Sequence, residues 1–244
     1  MLKLWTESPL KRVEPDDVVP VKRSSDRTLH MAGNSYESYQ ILLYGDEDFE
    51  ITGVDFDISK DIVFRYNFQE AIAFEKESFQ DPLSNKETCQ VYGGKIQSIW
   101  ITAYAERGTA AGSYEGKVLI TTSCGRLETG LKVYVHSAVL PENSKAAFAT
   151  EYWMHTVNFW FHFPNAEQMD LLNYYYGCQK YSDAWWKINR AIAQNMKENR
   201  INVLFVRTLD LLLDGGSWKD DSGKWNFCWE LFDEWTAFFE EYAD

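Results

Sequence analysis

The first 140 residues alternate between apolar and polar positions with a period of two, the pattern of strands with one buried face. In residues 131–136, for example, Leu131, Val133 and Val135 fall on one face, which we expect to point inward. Gly, Asn, Asp and Ser clusters separate the candidate strands, which are residues 39–44, 49–57, 61–68, 99–104, 117–121 and 131–136. Short strands at this spacing predict an antiparallel, immunoglobulin-like β-sandwich, with residues 77–94 as a long loop leaving it.

The pattern changes after a proline-containing break at residues 140–144. Ser182 can cap a helix whose apolar stripe recurs every three or four residues, and Asn199 can end it in the left-handed conformation. Residues 148–154 and 201–206 are candidate strands, and the second of these is apolar enough to be covered on both faces. A hairpin-like insert at 214–225 and a helix near 229–242 follow, so the order of elements predicts parallel βα units.

These patterns predict two domains, a β-sandwich over residues 1–143 and an α/β domain over residues 144–244. A complete (β/α)8 barrel needs roughly 250 residues, far more than the second domain holds. We therefore expect this domain to be incomplete, with only the opening βα units of such a barrel. The alternative is a small αβ layer packed on the sandwich.

Composition excludes several classes of protein. With 24 basic and 37 acidic residues, the net charge is −13, which argues against a nucleic-acid partner. No apolar stretch approaches the roughly 20 residues of a membrane span. The acidic start lacks a secretory signal, so we expect a cytoplasmic protein as the chain stands, or a secreted or periplasmic one if a signal was trimmed. The four separated cysteines predict free thiols and no zinc site, although their even number allows a disulfide.

A series of segments resembles glycoside hydrolase family 123. A strand with a central Trp100 is followed by Gly112-Ser113-Tyr114-Glu115-Gly116, and a last strand closes on Leu140-Pro141. We expect both glycines to flank a tight turn with positive φ. Later segments are similar to the start of the family's catalytic barrel, namely Glu151-Tyr152-Trp153-Met154-His155, Tyr181-Ser182-Asp183-Ala184-Trp185-Trp186 and Arg200-Ile201-Asn202-Val203.

The resemblance implies a TIM barrel that removes a terminal 2-acetamido sugar with retention, as in a β-N-acetylgalactosaminidase. The substrate's own acetamido group then attacks the anomeric carbon, and an Asp-Glu pair on a later barrel strand assists. We expect that pair beyond residue 244. Asp233-Glu234 lies in a predicted helix, where it is better explained as a solvated face, and Asp220-Asp221 as a hairpin tip.

Three residues at the ends of the first two predicted barrel strands are candidates for sugar binding: Trp153, His155 and Arg207. Each also has a structural explanation: Trp153 could be a core ring, His155 a buried histidine and Arg207 a member of an ion pair. The aromatic segment at 160–164 is either a sugar platform or a cover for apolar surface. Trp185 is better explained as core.

No residue pattern indicates a cofactor or a catalytic metal. The resemblance to glycoside hydrolase family 123 implies carbohydrate as the partner. The alternatives are a non-catalytic carbohydrate-binding protein and an interaction protein that self-associates through its incomplete barrel.

Overall fold

The computed structural model describes residues 1–74, 77–146, 148–152 and 171–241. The chain divides into two compact units, Met1–Leu140 and Pro141–Asp244. The first unit consists of strands β1 (Lys3–Glu7), β2 (Arg27–Gly33), β3 (Ser35–Tyr44), β4 (Phe49–Asp57), β5 (Ile62–Phe74), β6 (Glu77–Ser84), β7 (Cys89–Val91), β8 (Ile96–Ala105), β9 (Gly112–Thr122) and β10 (Gly125–Val139).

The strands of the first unit form two five-stranded sheets, in the orders β1-β3-β8-β5-β6 and β2-β10-β9-β4-β7. All pairs are antiparallel except β10 with β2, which is parallel. One apolar core takes side chains from both sheets, so the unit is a sandwich. The predicted antiparallel sandwich is thus confirmed apart from one pair, and its immunoglobulin-like classification stays a prediction.

The inward positions of the sandwich follow the alternation in the sequence. Leu131, Val133 and Val135 of β10 are all less than 5% exposed, as predicted. In β8, Ile99 and Ile101 are fully buried, while Trp100 between them is only partly buried. The period-two pattern therefore identifies the buried face correctly, because only one face of each sheet contacts the shared core.

Three expectations about the first unit were wrong. Residues 77–94 are not a loop that leaves the sandwich, because they contain β6 and β7, which extend one edge of each sheet. Strands β1 and β2 were not predicted. Gly112 and Gly116 do not flank a tight turn, since both lie within the continuous strand β9 and neither is among the glycines with positive φ.

The second unit contains both helices and short strands. Its described elements are a 3₁₀ turn (Asn143–Lys145), β11 (Glu151–Tyr152), α1 (Leu171–Tyr176), α2 (Asp183–Glu198), β12 (Val203–Leu204), α3 (Thr208–Asp214), β13 (Trp218–Lys219), β14 (Trp225–Asn226) and α4 (Glu230–Glu241). Strands β11 and β12 pair in parallel with α2 between them, as in a βαβ unit. One pair of strands does not form a barrel. That these strands are the first two of a TIM barrel therefore stays a prediction.

Helix α2 begins where the sequence predicts. Ser182 is its N-cap, and the hydroxyl oxygen accepts a hydrogen bond from the backbone N–H of Trp185 at 3.3 Å. The predicted end is shifted by one residue: Asn199 has a φ of −95°, and Arg200 is the left-handed residue, with a φ of 59°. The Arg200 conformation turns the chain from the helix toward β12.

The core of the second unit is aromatic. Trp185 of α2 is fully buried, and Trp235 of α4 is 2% exposed, in one cluster with Leu211 of α3. This confirms Trp185 as a core residue. The apolar run at 201–206 was expected to be covered on both faces, but Val203 is 37% and Phe205 36% exposed. Only two residues of that run form a strand, and the sequence analysis missed the helix α3 that follows.

Over the described residues, no α-helix has both the length and the apolar character that crossing a membrane requires. The four cysteines, Cys89, Cys124, Cys178 and Cys228, carry free thiols. Cys178 is buried, Cys124 is exposed, and burial raises the pKa of the Cys89 thiol to about 11. The prediction of free thiols is confirmed.

Candidate functional site

The parallel strand pair of the second unit is held together by Asn202, the residue before β12. Its side-chain oxygen accepts a hydrogen bond from the backbone N–H of Thr150 at 2.8 Å. Its side-chain amide donates to the carbonyls of Asn143 (3.2 Å) and Phe148 (3.0 Å). One side chain thus fixes β12 against the segment that leads into β11, which sets the position of the residues that follow β12.

Arg207 follows β12 and stands immediately before the first turn of α3. Its Nε lies 2.6 Å from Oδ2 of Asp210, and the two side chains are only 8% and 15% exposed. Asp210 lies in the first turn of α3, where the helix dipole also favours a carboxylate. A cation after an apolar run needs a carboxylate or a ligand, and Asp210 is the carboxylate that Arg207 contacts.

A second carboxylate ties together the two connections that follow β11 and β12. Oδ2 of Asp214, the last residue of α3, accepts hydrogen bonds from Tyr181 Oη at 2.8 Å and from Lys180 Nζ at 3.0 Å. Lys180 and Tyr181 belong to the connection between β11 and α2, whereas Asp214 belongs to the one between β12 and α4. Both connections start at the carboxyl ends of parallel strands, where α/β proteins place their binding groups.

We expect Asp210→Asn to destabilise the second unit by about 1–2 kcal/mol, because the largely buried guanidinium of Arg207 loses its counter-charge. Urea unfolding followed by circular dichroism measures the loss. Asp221→Asn is the matched control, since Asp221 is exposed at the hairpin tip and its change should have little effect. Equal stability of Asp210→Asn and the wild type would show that the ion pair is not structurally required.

Strands β13 and β14 form an antiparallel hairpin, as the sequence predicts, in which Trp218 pairs with Asn226. Asp220 organises its tip by accepting hydrogen bonds from Ser222 Oγ (2.6 Å) and from the backbone N–H groups of Ser222 and Lys224 (3.0 Å each). Gly223 has a φ of 87°, a conformation that favours glycine. The hydroxyl of Ser222, followed by the N–H of Lys224, holds the pKa of Asp220 below its ordinary value.

The order of the hairpin tip should depend on pH. Because folding lowers the pKa of Asp220, its ionised form stabilises the turn at and above the ordinary aspartate range. That contribution is lost as the pH falls through the lowered value. Amide chemical shifts of Ser222 and Lys224 should therefore titrate below the ordinary aspartate range, and Ser222→Ala should move the titration upward. A titration of these amides that is unchanged in Asp220→Asn would contradict this assignment.

The other predicted site residues are placed only in part. Trp153, His155 and the aromatic segment at 160–164 lie outside the described residues. Asp233 and Glu234 are exposed on α4, as expected of a solvated helix face. In the described ranges, no three His, Cys, Asp or Glu side chains come together in a way that could hold a metal ion.

Sequence reasoning missed a group of exposed aromatic side chains on and after the hairpin. Trp218, Trp225, Phe227 and Trp229 are 55%, 44%, 48% and 46% exposed. The signal in the sequence was the spacing of Trp225, Phe227 and Trp229 at every second residue, which places them on one side of an extended chain. Because Trp218 pairs with Asn226 and Trp225 with Lys219, Trp218 lies on the opposite face of the hairpin from Trp225. We therefore call Trp225, Phe227 and Trp229 the aromatic platform.

The second unit contains a cavity of about 260 Å³ whose lining includes Val206 but not Arg207. It lies between β12 and the last turns of α2 and α4, and its lining is mostly apolar, with Met196, Leu204, Trp235 and Phe239 among the lining residues. Helix α2 leads to the amino-terminal end of β12, the end that serves stability in βα folds. The cavity is therefore not the candidate site.

Comparison with known proteins gives a likeness in fold but none in sequence. No family model matches this chain, and no curated protein matches it in sequence. Two solved structures resemble it weakly over about half its length. They are a PapD-like domain of human CEP192 (TM-score 0.29, 12% identity, 54% of this chain and 99% of that one) and a FixG-related protein from Vibrio parahaemolyticus (0.32, 9%, 55% and 95%).

A third solved structure resembles the whole chain. It is a family 123 glycoside hydrolase from Clostridium perfringens, described as hydrolysing glycolipid glycans, and it superposes with a TM-score of 0.75 at 14% identity. The match covers 100% of this chain and 46% of the hydrolase, so the chain spans less than half of that enzyme's length. At this identity the likeness establishes the fold: the chain is built like part of a family 123 glycoside hydrolase.

Proposed function

We propose that this chain is the amino-terminal part of a glycoside hydrolase related to family 123. In this proposal the first unit is the supporting sandwich, and β11, α2 and β12 open the catalytic (β/α)8 barrel. The observation that carries the proposal is the likeness in fold to the Clostridium perfringens hydrolase over the whole chain. The parallel β11–β12 pair with an intervening helix has the connectivity that such a barrel requires.

The proposed substrate is a glycan with a terminal 2-acetamido sugar, following the resemblance to the family. Trp153, His155 and Arg207 would then lie at the carboxyl ends of the first two barrel strands, where (β/α)8 enzymes bind substrates. Arg207 would offer N–H groups to the sugar while Asp210 holds its guanidinium in place. Aromatic and histidine rings would stack against the C–H faces of the sugar.

The catalytic carboxylates are proposed to lie elsewhere in the enzyme. In the described part of the second unit, the single Asp-Glu dipeptide is Asp233-Glu234, which is solvent-exposed on α4. Substrate-assisted hydrolysis needs one carboxyl group to orient the acetamido group and another to protonate the leaving oxygen. An exposed helix face offers neither enclosure nor a defined position for a sugar.

Two measurements test the proposed function. We expect no hydrolysis of an aryl 2-acetamido-2-deoxy-β-galactoside by the 244-residue chain, and clear turnover would contradict the placement of the catalytic pair. We also expect saturable binding of N-acetylgalactosamine, followed by NMR, which Arg207→Gln weakens about tenfold, equivalent to one lost charged hydrogen bond. Arg190→Gln on the exposed face of α2 is the matched control. Unchanged binding in Arg207→Gln would leave Arg207 with a structural role only.

The second candidate is a carbohydrate-binding protein without catalysis. It is favoured by the position of Asp233-Glu234, because the described residues of the second unit offer no other adjacent acid pair of this kind. Both candidates predict sugar binding, so the coding sequence after residue 244 separates them. Further strand–helix repeats with an Asp-Glu dipeptide after a strand would favour the enzyme.

A further inference from the structure

We propose that the aromatic platform, Trp225, Phe227 and Trp229, binds a neutral oligosaccharide through stacking of its sugar rings. The inference rests on the proposed function, which it deepens by naming where the glycan continues beyond the terminal sugar. Each of the three side chains is between 44% and 48% exposed. Large rings half open to water at one place on a surface are uncommon unless something binds them.

The rings of the aromatic platform are arranged in a row. The ring centroids of Trp225 and Phe227 are 6.1 Å apart, with planes within 9° of parallel, and those of Phe227 and Trp229 are 6.3 Å apart. Trp229 is fixed at the end of the row by an edge contact with Phe232 of α4, with centroids at 5.4 Å and planes at 87°. Aromatic faces are electron-rich and attract the weakly positive C–H groups on the flat side of a sugar. The stacked Trp225 and Phe227 rings turn one face toward each other, so sugars would contact their remaining exposed surfaces and the Trp229 ring, whose plane is tilted by 57° to that of Phe227.

The platform is held in shape before any ligand arrives. The hydrogen bonds to Asp220 close the hairpin tip, and the backbone N–H of Cys228 donates to Ser217 Oγ at 2.9 Å. The second contact ties the segment with Phe227 and Trp229 to the residue before Trp218. Because the rings are already positioned, binding would cost little conformational entropy.

The charges around the platform select the kind of ligand. Residues 214–234 contain six carboxylates, at positions 214, 220, 221, 230, 233 and 234, and two lysines, at 219 and 224. This acidic setting repels sulfated glycans and other polyanions. Carboxylates accept hydrogen bonds from hydroxyl groups, so a neutral, hydroxyl-rich chain fits both the rings and their surroundings.

The location agrees with a role in extending the Arg207 site. Arg207, α3 and the hairpin belong to one connection, between β12 and α4. Asp214, just before the hairpin, is bound by Lys180 and Tyr181 from the connection after β11. The platform thus lies in the connection that follows β12, and Asp214 ties this connection to the one after β11; βα enzymes recognise substrates with loops of this kind.

Calorimetric titration of the 244-residue chain tests the proposal. The probes are two neutral tetrasaccharides, tetra-N-acetylchitotetraose and a glycolipid-derived tetrasaccharide ending in N-acetylgalactosamine, with N-acetylgalactosamine itself and a heparin tetrasaccharide for comparison. We expect at least one neutral tetrasaccharide to bind, and Trp225→Ala/Phe227→Ala to weaken that binding at least tenfold while leaving monosaccharide binding unchanged. The heparin probe should not bind.

Two control variants accompany the double variant. Trp225→Phe keeps an aromatic face and should retain most of the affinity. Tyr92→Ala removes a ring that is 64% exposed in the first unit and should change nothing. Hydrogen exchange of the α4 amides verifies that the double variant is folded.

Three results would overturn the proposal: equal tetrasaccharide affinity in the wild type and the double variant, binding of neither neutral tetrasaccharide to the wild type, or tighter binding of heparin. Sedimentation showing a wild-type dimer that the double variant makes monomeric would also overturn it, since the rings would then contact a second copy. Different results would contradict the proposed function: no binding of N-acetylgalactosamine by the wild type, or hydrolysis of the aryl glycoside by the 244-residue chain.

Discussion

Replacing Trp185 with alanine should destabilise the second unit by about 3–5 kcal/mol, the usual cost of removing a large buried aromatic ring. Trp185 is fully buried in the cluster that holds α2, α3 and α4 together. Its ring lies 4.8 Å from that of Trp186 and 5.0 Å from that of Tyr181, so both neighbours lose a contact. Because Tyr181 also binds Asp214, the change should loosen the connections that carry the candidate site.

Hydrogen exchange resolved along the chain measures this effect, since it reports α2 and α4 separately from the sandwich strands. The matched control is Trp218→Ala, which removes the same side chain from a position 55% exposed and should change stability by about 0.5 kcal/mol or less. Unaltered protection of α2 in Trp185→Ala would mean that this cluster does not stabilise the unit.

Gly116→Ala should destabilise the sandwich by about 3 kcal/mol, at the upper end of the usual cost of overpacking. A Cβ atom at this position would lie 2.2 Å from the carbonyl oxygen of Asp57 and 2.7–2.8 Å from Cβ and Cα of Ile58. These atoms belong to the end of β4 and the residue after it, and β4 is the neighbour of β9. Backbone cannot move aside as a flexible side chain would, so the two strands must separate locally.

The sandwich itself offers the control for that variant. Gly112 lies in the same strand, and a Cβ added there would meet no atom within 4 Å. Gly112→Ala should therefore leave the urea midpoint nearly unchanged, or raise it slightly by restricting the unfolded chain. If the two variants have the same stability, the close approach at Gly116 is not what requires glycine there.

The sandwich was the most predictable part of the fold. Strands β4, β8 and β10 were predicted because each buries one face. Apolar and polar residues therefore alternate along them with a period of two. Strands β6 and β7 were missed, since they lie at sheet edges, where fewer side chains are buried and polar residues are tolerated. Strand β2 was not predicted, although Leu29 and Met31 alternate with exposed residues in it; it pairs with β10, about 100 residues away in sequence.

The candidate site was predictable to a smaller extent. Arg207 could be selected because a cation after an apolar run requires a partner, but that the partner is Asp210 follows from the first turn of α3, which the sequence analysis did not recognise. The spacing of Trp225, Phe227 and Trp229 was visible, yet the same spacing would suit rings buried in a core. Their exposure depends on what packs beside the hairpin, and that is a property of the tertiary structure.

By itself, the sequence determined the buried faces of this protein's main strands and the start of α2, because these depend on local periodicity and capping. The tertiary structure decided which strands pair, that Gly116 stands against the backbone beyond β4, that Asp210 neutralises Arg207, and that the hairpin rings face water. These features arise from contacts between residues distant in sequence or from the surroundings of a side chain, and neither is encoded in a local pattern.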